Sequence, residues 1–203
     1  MKIWPLKDDR KRAVPRSGPG SFWEDRVDRR HCGVDLYAPC GTVVLALEKG
    51  VVTRVGIATS PRKNRYWNTT RYVVVRHGTV FVKYAELGRV DVRKGENVAP
   101  GREIGEVGLV LNKNKIDSHS PLYIRKLGGR NPSMLHLEFF REKPITRHRL
   151  YLGGNWFGAK KPEGLLDPTP ILSKLKRKKS APRRKRGKGP VSGDLRMRAS
   201  GGR

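Results

Sequence analysis

His31, Asp35 and His136 are the residues of this chain best suited to chemistry. Arg-His-Cys-Gly-Val-Asp-Leu (30–36) sets an imidazole and a carboxylate four residues apart, and Met-Leu-His-Leu-Glu (134–138) adds a second imidazole much later. Neutral imidazole nitrogen and carboxylate oxygen are ligands that a zinc ion accepts, and three protein ligands leave its fourth position to water. An ion held in this way brings its water close to neutral pKa, the chemistry of metal-assisted hydrolysis. One Zn²⁺ ion is therefore the expected cofactor.

The elements that must position these ligands read as short strands. Val43 to Leu47 is an apolar run after the Pro39-Cys40-Gly41 turn, and Val51 to Val55 follows the Lys49-Gly50 turn. Tyr72–Arg76 and Val80–Tyr84 flank His77-Gly78-Thr79, β-branched and aromatic residues on both sides of a tight glycine turn, which signals a hairpin. Ile104 to Gly108 and Leu135 to Phe140 are further strands. Between 22 and 140 no segment keeps a helical period over three turns. The expected fold class is all-β, a sandwich or barrel. Residues 109–133 break the rhythm as a long loop around a short Leu122-Tyr123-Ile124 strand. That loop leads directly into the His136 strand and is expected to overhang the metal.

Charge is the second informative feature. Lys and Arg number 45 against 18 Asp and Glu, a formal net charge of +27 over 203 residues. Such an excess implies a polyanionic neighbour: nucleic acid, an anionic membrane face or an acidic wall polymer. From Ser173 to Arg203 there are 13 Lys and Arg and one acid, Asp194. With Pro182, Gly187 and Gly189 this segment reads as a disordered basic tail. Its clusters Lys176, Arg177, Lys178, Lys179 and Arg183, Arg184, Lys185, Arg186 are the candidate polyanion-binding residues, nucleic acid included. Residues 1–21, with Pro15, Gly18, Pro19 and Gly20, read as a flexible N-terminal arm, and 22–172 as the domain. Two cysteines, Cys32 and Cys40, give no disulfide framework. The first ten residues show no signal-peptide core, and no apolar run has the length of a membrane span. Oligomeric state and compartment are not legible.

Several stretches together carry a family resemblance: Arg30-His31-x-Gly33-Val34-Asp35-Leu36, Ala38-Pro39-x-Gly41-Thr42-Val43-Val44, Tyr84-x-Glu86-Leu87, Gly101-x-x-Ile104-Gly105-x-Val107-Gly108, His136-x-Glu138 and Leu166-Asp167-Pro168-Thr169-Pro170. In this order they resemble the lysostaphin/LytM-type zinc metallopeptidases, peptidase family M23, over about residues 22–172. The resemblance implies an antiparallel sheet with zinc on the floor of a groove, His31, Asp35 and His136 as its ligands, and peptidoglycan peptides as substrate. Two positions depart from the family pattern. Glu86 stands where the family has histidine in its Tyr-x-His-Leu segment, and Met134 stands where His-x-His begins. Those two family histidines are the catalytic ones beside the metal. Glu86 can still take a proton from an attacking water and is the expected general base, whereas a thioether is only a weak acceptor. Losing an oxyanion donor costs on the order of 2.7–4 kcal/mol, so a reduced rate is expected unless another donor serves. His119 on the long loop is the candidate substitute, followed by Tyr123 and Arg125.

Three functions are open on these residues: a zinc metalloendopeptidase acting on peptidoglycan, an inactive relative serving as a peptide- or glycan-binding or regulatory module, and a basic nucleic-acid-associated scaffold. His77 reads as a turn residue and His148 as part of a solvated basic face. Tyr37, Tyr66, Trp67 and Phe81 read as core or groove wall.

Overall fold

A computed structural model describes residues 1–7, 14–122, 124–125, 133–145 and 148–175. Among the described residues twelve strands account for nearly all regular structure: β1 (Arg30–His31), β2 (Val34–Tyr37), β3 (Val43–Leu45), β4 (Gly50–Thr59), β5 (Thr70–His77), β6 (Val80–Val90), β7 (Asn97–Val98), β8 (Glu103–Val107), β9 (Met134–Phe140), β10 (Tyr151–Leu152), β11 (Asn155–Trp156) and β12 (Leu165–Leu166). A 3-10 turn (Lys113–Lys115) and a short helix, α1 (Thr169–Lys174), are also present. Nine strands form one antiparallel sheet along the path β12-β9-β6-β5-β4-β7, with β2 on β9 and β8 joining β6 to β3. A small second sheet runs β1-β11-β10. The all-β antiparallel expectation holds.

The expected hairpin forms β5 and β6, closed at His77↔Val80 with Gly78 at φ +61 in the turn. Its partner on the other side of β6 is β9, the strand that decides the site. Along β9 the side chains alternate: Leu135, Leu137 and Phe139 enter the main core with Leu36, Val82, Tyr84 and Leu87. Met134, His136 and Glu138 take the opposite face by the two-residue period of a strand. Burying each of those apolar side chains stabilises the fold by about 1.5–3 kcal/mol. The opposite face is covered as well, because the small sheet lies over it, and β9 is buried along almost its whole length.

The N-terminal segment differs from the flexible arm expected over 1–21. Residues 3–7 lie along β3, with backbone bonds Ile3 N–H to Leu47 O, Leu45 N–H to Pro5 O and Lys7 N–H to Val43 O, and Trp4 and Leu6 join the core. Two large apolar side chains in seven residues gave this segment something to bury. Gly20 and Ser21 are also buried, against the site itself. In the long loop, Leu122, Ile124 and Arg125 are helical rather than part of a short strand, and the Arg125 N–H donates to Pro121 O. Tyr123 lies outside the described residues. No helix among the described residues is long and apolar enough to cross a membrane.

His77 is a structural pin. Its Nδ1–H donates to Lys49 O at 3.1 Å, and the Tyr84 hydroxyl donates to its Nε2 at 2.9 Å while accepting the Leu47 N–H. Burial holds this imidazole below its ordinary pKa, with Glu48 and Lys2 acting in opposite senses on it. Below about pH 6.5 an unfolded histidine takes up a proton that the folded one resists, so stability falls as pH falls. His77 alone therefore favours a lower unfolding midpoint at about pH 5.5 than at about pH 7, an effect read by comparing a His77→Gln variant with the wild type at both pH values. The variant should lose part of that slope.

Candidate metal and active site

The register of the main sheet places the first two ligand candidates. Asp35 on β2 and His136 on β9 are directly paired, and Ala85 on β6 faces His136 from the other side. Directly opposed residues in an antiparallel pair project from the same face at close range. His31 reaches the same point from β1 in the second sheet, whose Cα partner is Asn155. The resulting triangle has edges of 3.0 Å (His31 Nε2 to His136 Nδ1), 2.8 Å (His136 Nδ1 to Asp35 Oδ1) and 3.2 Å (His31 Nε2 to Asp35 Oδ1). Ligand bonds of about 2.0–2.1 Å in a tetrahedron would separate ligand atoms by about 3.3 Å, so this triangle has the dimensions of a zinc site.

Each ring is fixed by its other nitrogen. His31 Nδ1–H donates to the carbonyl of Ser21 at 2.7 Å, leaving Nε2 as a lone pair. His136 Nε2–H donates to Glu138 Oε1 at 2.9 Å, leaving Nδ1 turned to Asp35. Three Lewis bases thus converge on one point. Burial disfavours a charged His136, but the bonds to Asp35 and Glu138 outweigh it and push its pKa up to about 9. Burial would raise the Asp35 carboxyl, yet the two imidazoles hold it well below the usual carboxylate range. Two imidazoles and one carboxylate, each oriented by an outer partner, fit a divalent zinc ion.

The outer partners are buried and specific. Lys83 is 3% exposed and Glu138 0%. Lys83 Nζ donates to Glu138 Oε1 at 2.7 Å and to the Tyr151 hydroxyl, which itself donates to the same Glu138 oxygen at 2.5 Å. The ammonium also lies 4.8 Å from the Tyr151 ring centre and 5.4 Å from that of Tyr72. Burial disfavours the Glu138 anion, but Lys83 and His136 together outweigh it and keep the carboxyl well below its ordinary range. On the other flank Arg26 lies 3.4 Å from Asp35 Oδ2 and is itself held by Glu24 and Asn155.

Glu86 lines a cavity of about 100 Å³ beside His136, together with Lys83, Ala85, Tyr72, Tyr151 and Lys63. Strand alternation alone would send Glu86 into the core. Instead it adopts φ +65, and the pairing of β5 with β6 shifts register there. The bulge turns its carboxylate onto the metal-site face, a known use of such irregularities. A left-handed glutamate stores strain of order 1–3 kcal/mol, of the kind that clusters at functional sites. Burial, and then the Asp35 charge, push its pKa up to about 7.

The other expected residues fall elsewhere. Met134 is half-buried at the start of β9, paired with Tyr37. His119 is exposed, its ring on the Ser118 hydroxyl, and is not among the residues lining the cavity. Asp117 holds it there, accepting the His119 N–H and the Ser120 hydroxyl. Arg125 is likewise turned to Ser120 O. The polyanion candidates Lys176, Arg177, Lys178, Lys179, Arg183, Arg184, Lys185 and Arg186 lie outside the described residues. Sequence reasoning missed Lys83, Arg26, Tyr151 and the Ser21 carbonyl. A lysine between Val82 and Tyr84 in an apolar strand was the one local signal among them.

Glycines let the sheets close on the ligands. A Cβ on Gly33 would lie 2.2 Å from Leu137 O and 2.9 Å from His136 Cε1. Because the first of these is backbone, Gly33→Ala must prise β2 from β9. Overpacking costs about 1–3 kcal/mol, and this contact belongs at the upper end. Denaturant unfolding should show that loss, with zinc affinity reduced alongside it.

Residues 29–143, more than half of the chain, match the model of Peptidase family M23, and the chain belongs to that family. It is 34% identical over 79 residues to the peptidoglycan DD-endopeptidase ShyA of Vibrio cholerae, and 35% identical over 81 residues to ShyC of the same organism. Those stretches are 38% and 39% of this chain but 16% and 17% of the relatives, so the chain corresponds to a small part of each. The crystal structure of CbpA from L. salivarius REN superposes with a TM-score of 0.50 at 22% identity, over 85% of this chain and 95% of that one, a likeness of fold.

Proposed function

We propose that this chain is a zinc-dependent endopeptidase of the peptidoglycan-acting kind, with His31, Asp35 and His136 as metal ligands and Glu86 as general base. The observation that carries the reading is the triangle of ligand atoms with both imidazoles fixed by outer partners. When bound, zinc would polarise a peptide carbonyl and acidify a water. The chain's own contribution is positional. Glu86 presents a carboxylate on the cavity side of His136, where it can accept the proton of the attacking water. Lys83 and Tyr151 fix Glu138, and through it the His136 ring. The peptidoglycan assignment rests on family membership and on the two named relatives. The basic surface suits an anionic wall polymer, given a net charge of +27.

Met134 favours a second reading, a metal-loaded binding module, because no imidazole stands at that position to stabilise an oxyanion. Incubating the zinc-loaded protein with purified peptidoglycan separates the two. Release of peptide fragments that stops on chelation supports the peptidase. Zinc uptake and sedimentation with the wall material, without fragments, supports the binding module.

A further inference from the structure

Beyond the family-matched residues 29–143 the chain folds back as the hairpin β10–β11, and its contacts run to the partners of all three ligand candidates. Tyr151 donates to Glu138 Oε1, the oxygen that also receives His136 Nε2–H. Asn155 Oδ1 accepts from Arg26 at 3.0 Å, and the same guanidinium faces Asp35 Oδ2. Asn155 is also the Cα partner of His31 across the small sheet. Between the two, Gly154 O accepts the Cys32 N–H at 2.8 Å, and Gly154 packs on the His136 ring so closely that a Cβ there would lie 2.6 Å from Nε2.

We propose that this hairpin is the brace of the metal site, with Tyr151 and Asn155 as positioning residues that hold His136 and Asp35 through Glu138 and Arg26. The inference rests on His31, Asp35 and His136 being the metal ligands. Neither side chain bonds to a ligand atom of the triangle, and Asn155 meets His31 only through the strand pairing. Their action is to fix the orientation of Glu138 and Arg26, and outer partners of this type are worth about 10–100-fold in metal affinity. Asn155 further stiffens its own turn by donating Nδ2–H to Leu152 O and Gly153 O. Coupling is reciprocal: if docking of the hairpin tightens metal binding, bound metal tightens docking by the same factor.

Zinc affinity is measured at neutral pH by competition with a chromogenic chelator, for the full chain and three variants. Tyr151→Phe keeps the ring beside Lys83 and removes only the hydroxyl; Asn155→Ala frees Arg26. Each should weaken zinc binding about 10–100-fold. Phe157→Ala, an exposed residue just past the hairpin, should bind as the wild type does. In parallel, hydrogen exchange at the amides of 151–156 should quicken when the wild type is chelated. Unchanged affinity in both hairpin variants, or an equal loss in Phe157→Ala, overturns the brace while leaving the metal reading intact. A wild type that takes up no zinc removes the metal reading and the brace with it.

Discussion

His31→Ala and His136→Ala should each abolish stoichiometric zinc binding, read by metal analysis of the purified protein. The cause is geometric: the three ligand atoms lie within 4.8 Å of one another and come from three strands, and no fourth His, Cys, Asp or Glu joins that group among the described residues. Stability should follow. A ligand at a hundred times its Kd stabilises the folded state by about 2.7 kcal/mol. For a chain of this size that is about 5–10 °C in melting temperature, lost in both variants and on chelation of the wild type. The two variants should differ from each other. His136→Ala also leaves Glu138 without its imidazole, a buried carboxylate whose second oxygen already has no partner among the described residues. Its metal-free form should therefore melt below that of His31→Ala. Wild-type zinc content in either variant would sink the assignment.

Glu86→Gln should retain zinc and lose turnover, by about 10²–10⁴-fold if the carboxylate is the base. Glutamine keeps the size of the side chain and pays the same left-handed backbone strain, so the melting temperature should hardly move. Glu86 is outside the ligand triangle, and metal content should be unchanged. Equal release of peptidoglycan fragments by the variant and the wild type would remove Glu86 from the mechanism. This pairing of results, metal kept and rate lost, separates a base from a ligand.

What the sequence disclosed and what it hid follow one physical divide. Strand period and turn chemistry are local. The 77–80 hairpin and the two faces of β9 could be read because Gly78 and the alternation of Leu135, Leu137 and Phe139 with His136 and Glu138 are written in adjacent residues. The grouping of His31, Asp35 and His136 was legible through order along the chain. Glu86 was legible as a residue type, but the bulge that aims it was not, because register shifts depend on what β5 and β9 present across the sheet. Lys83 would ordinarily read as exposed; only the fold brings Glu138 and Tyr151 to it. Ser21 acts through its carbonyl, which no residue type announces. His119 was a reasonable donor by composition, and the Asp117 turn holds it away.

The charges around the site have a consequence for what can occupy it. Among the described residues, four carboxylates, those of Glu24, Asp35, Glu86 and Glu138, cluster around two buried or half-buried cations, Arg26 and Lys83, with Lys63 at the cavity beside Glu86. In a chain with a net charge of +27, this small interior region is locally rich in acids. Such a balance would favour a divalent over a monovalent cation as its occupant, and would disfavour a free anion there until a metal is bound.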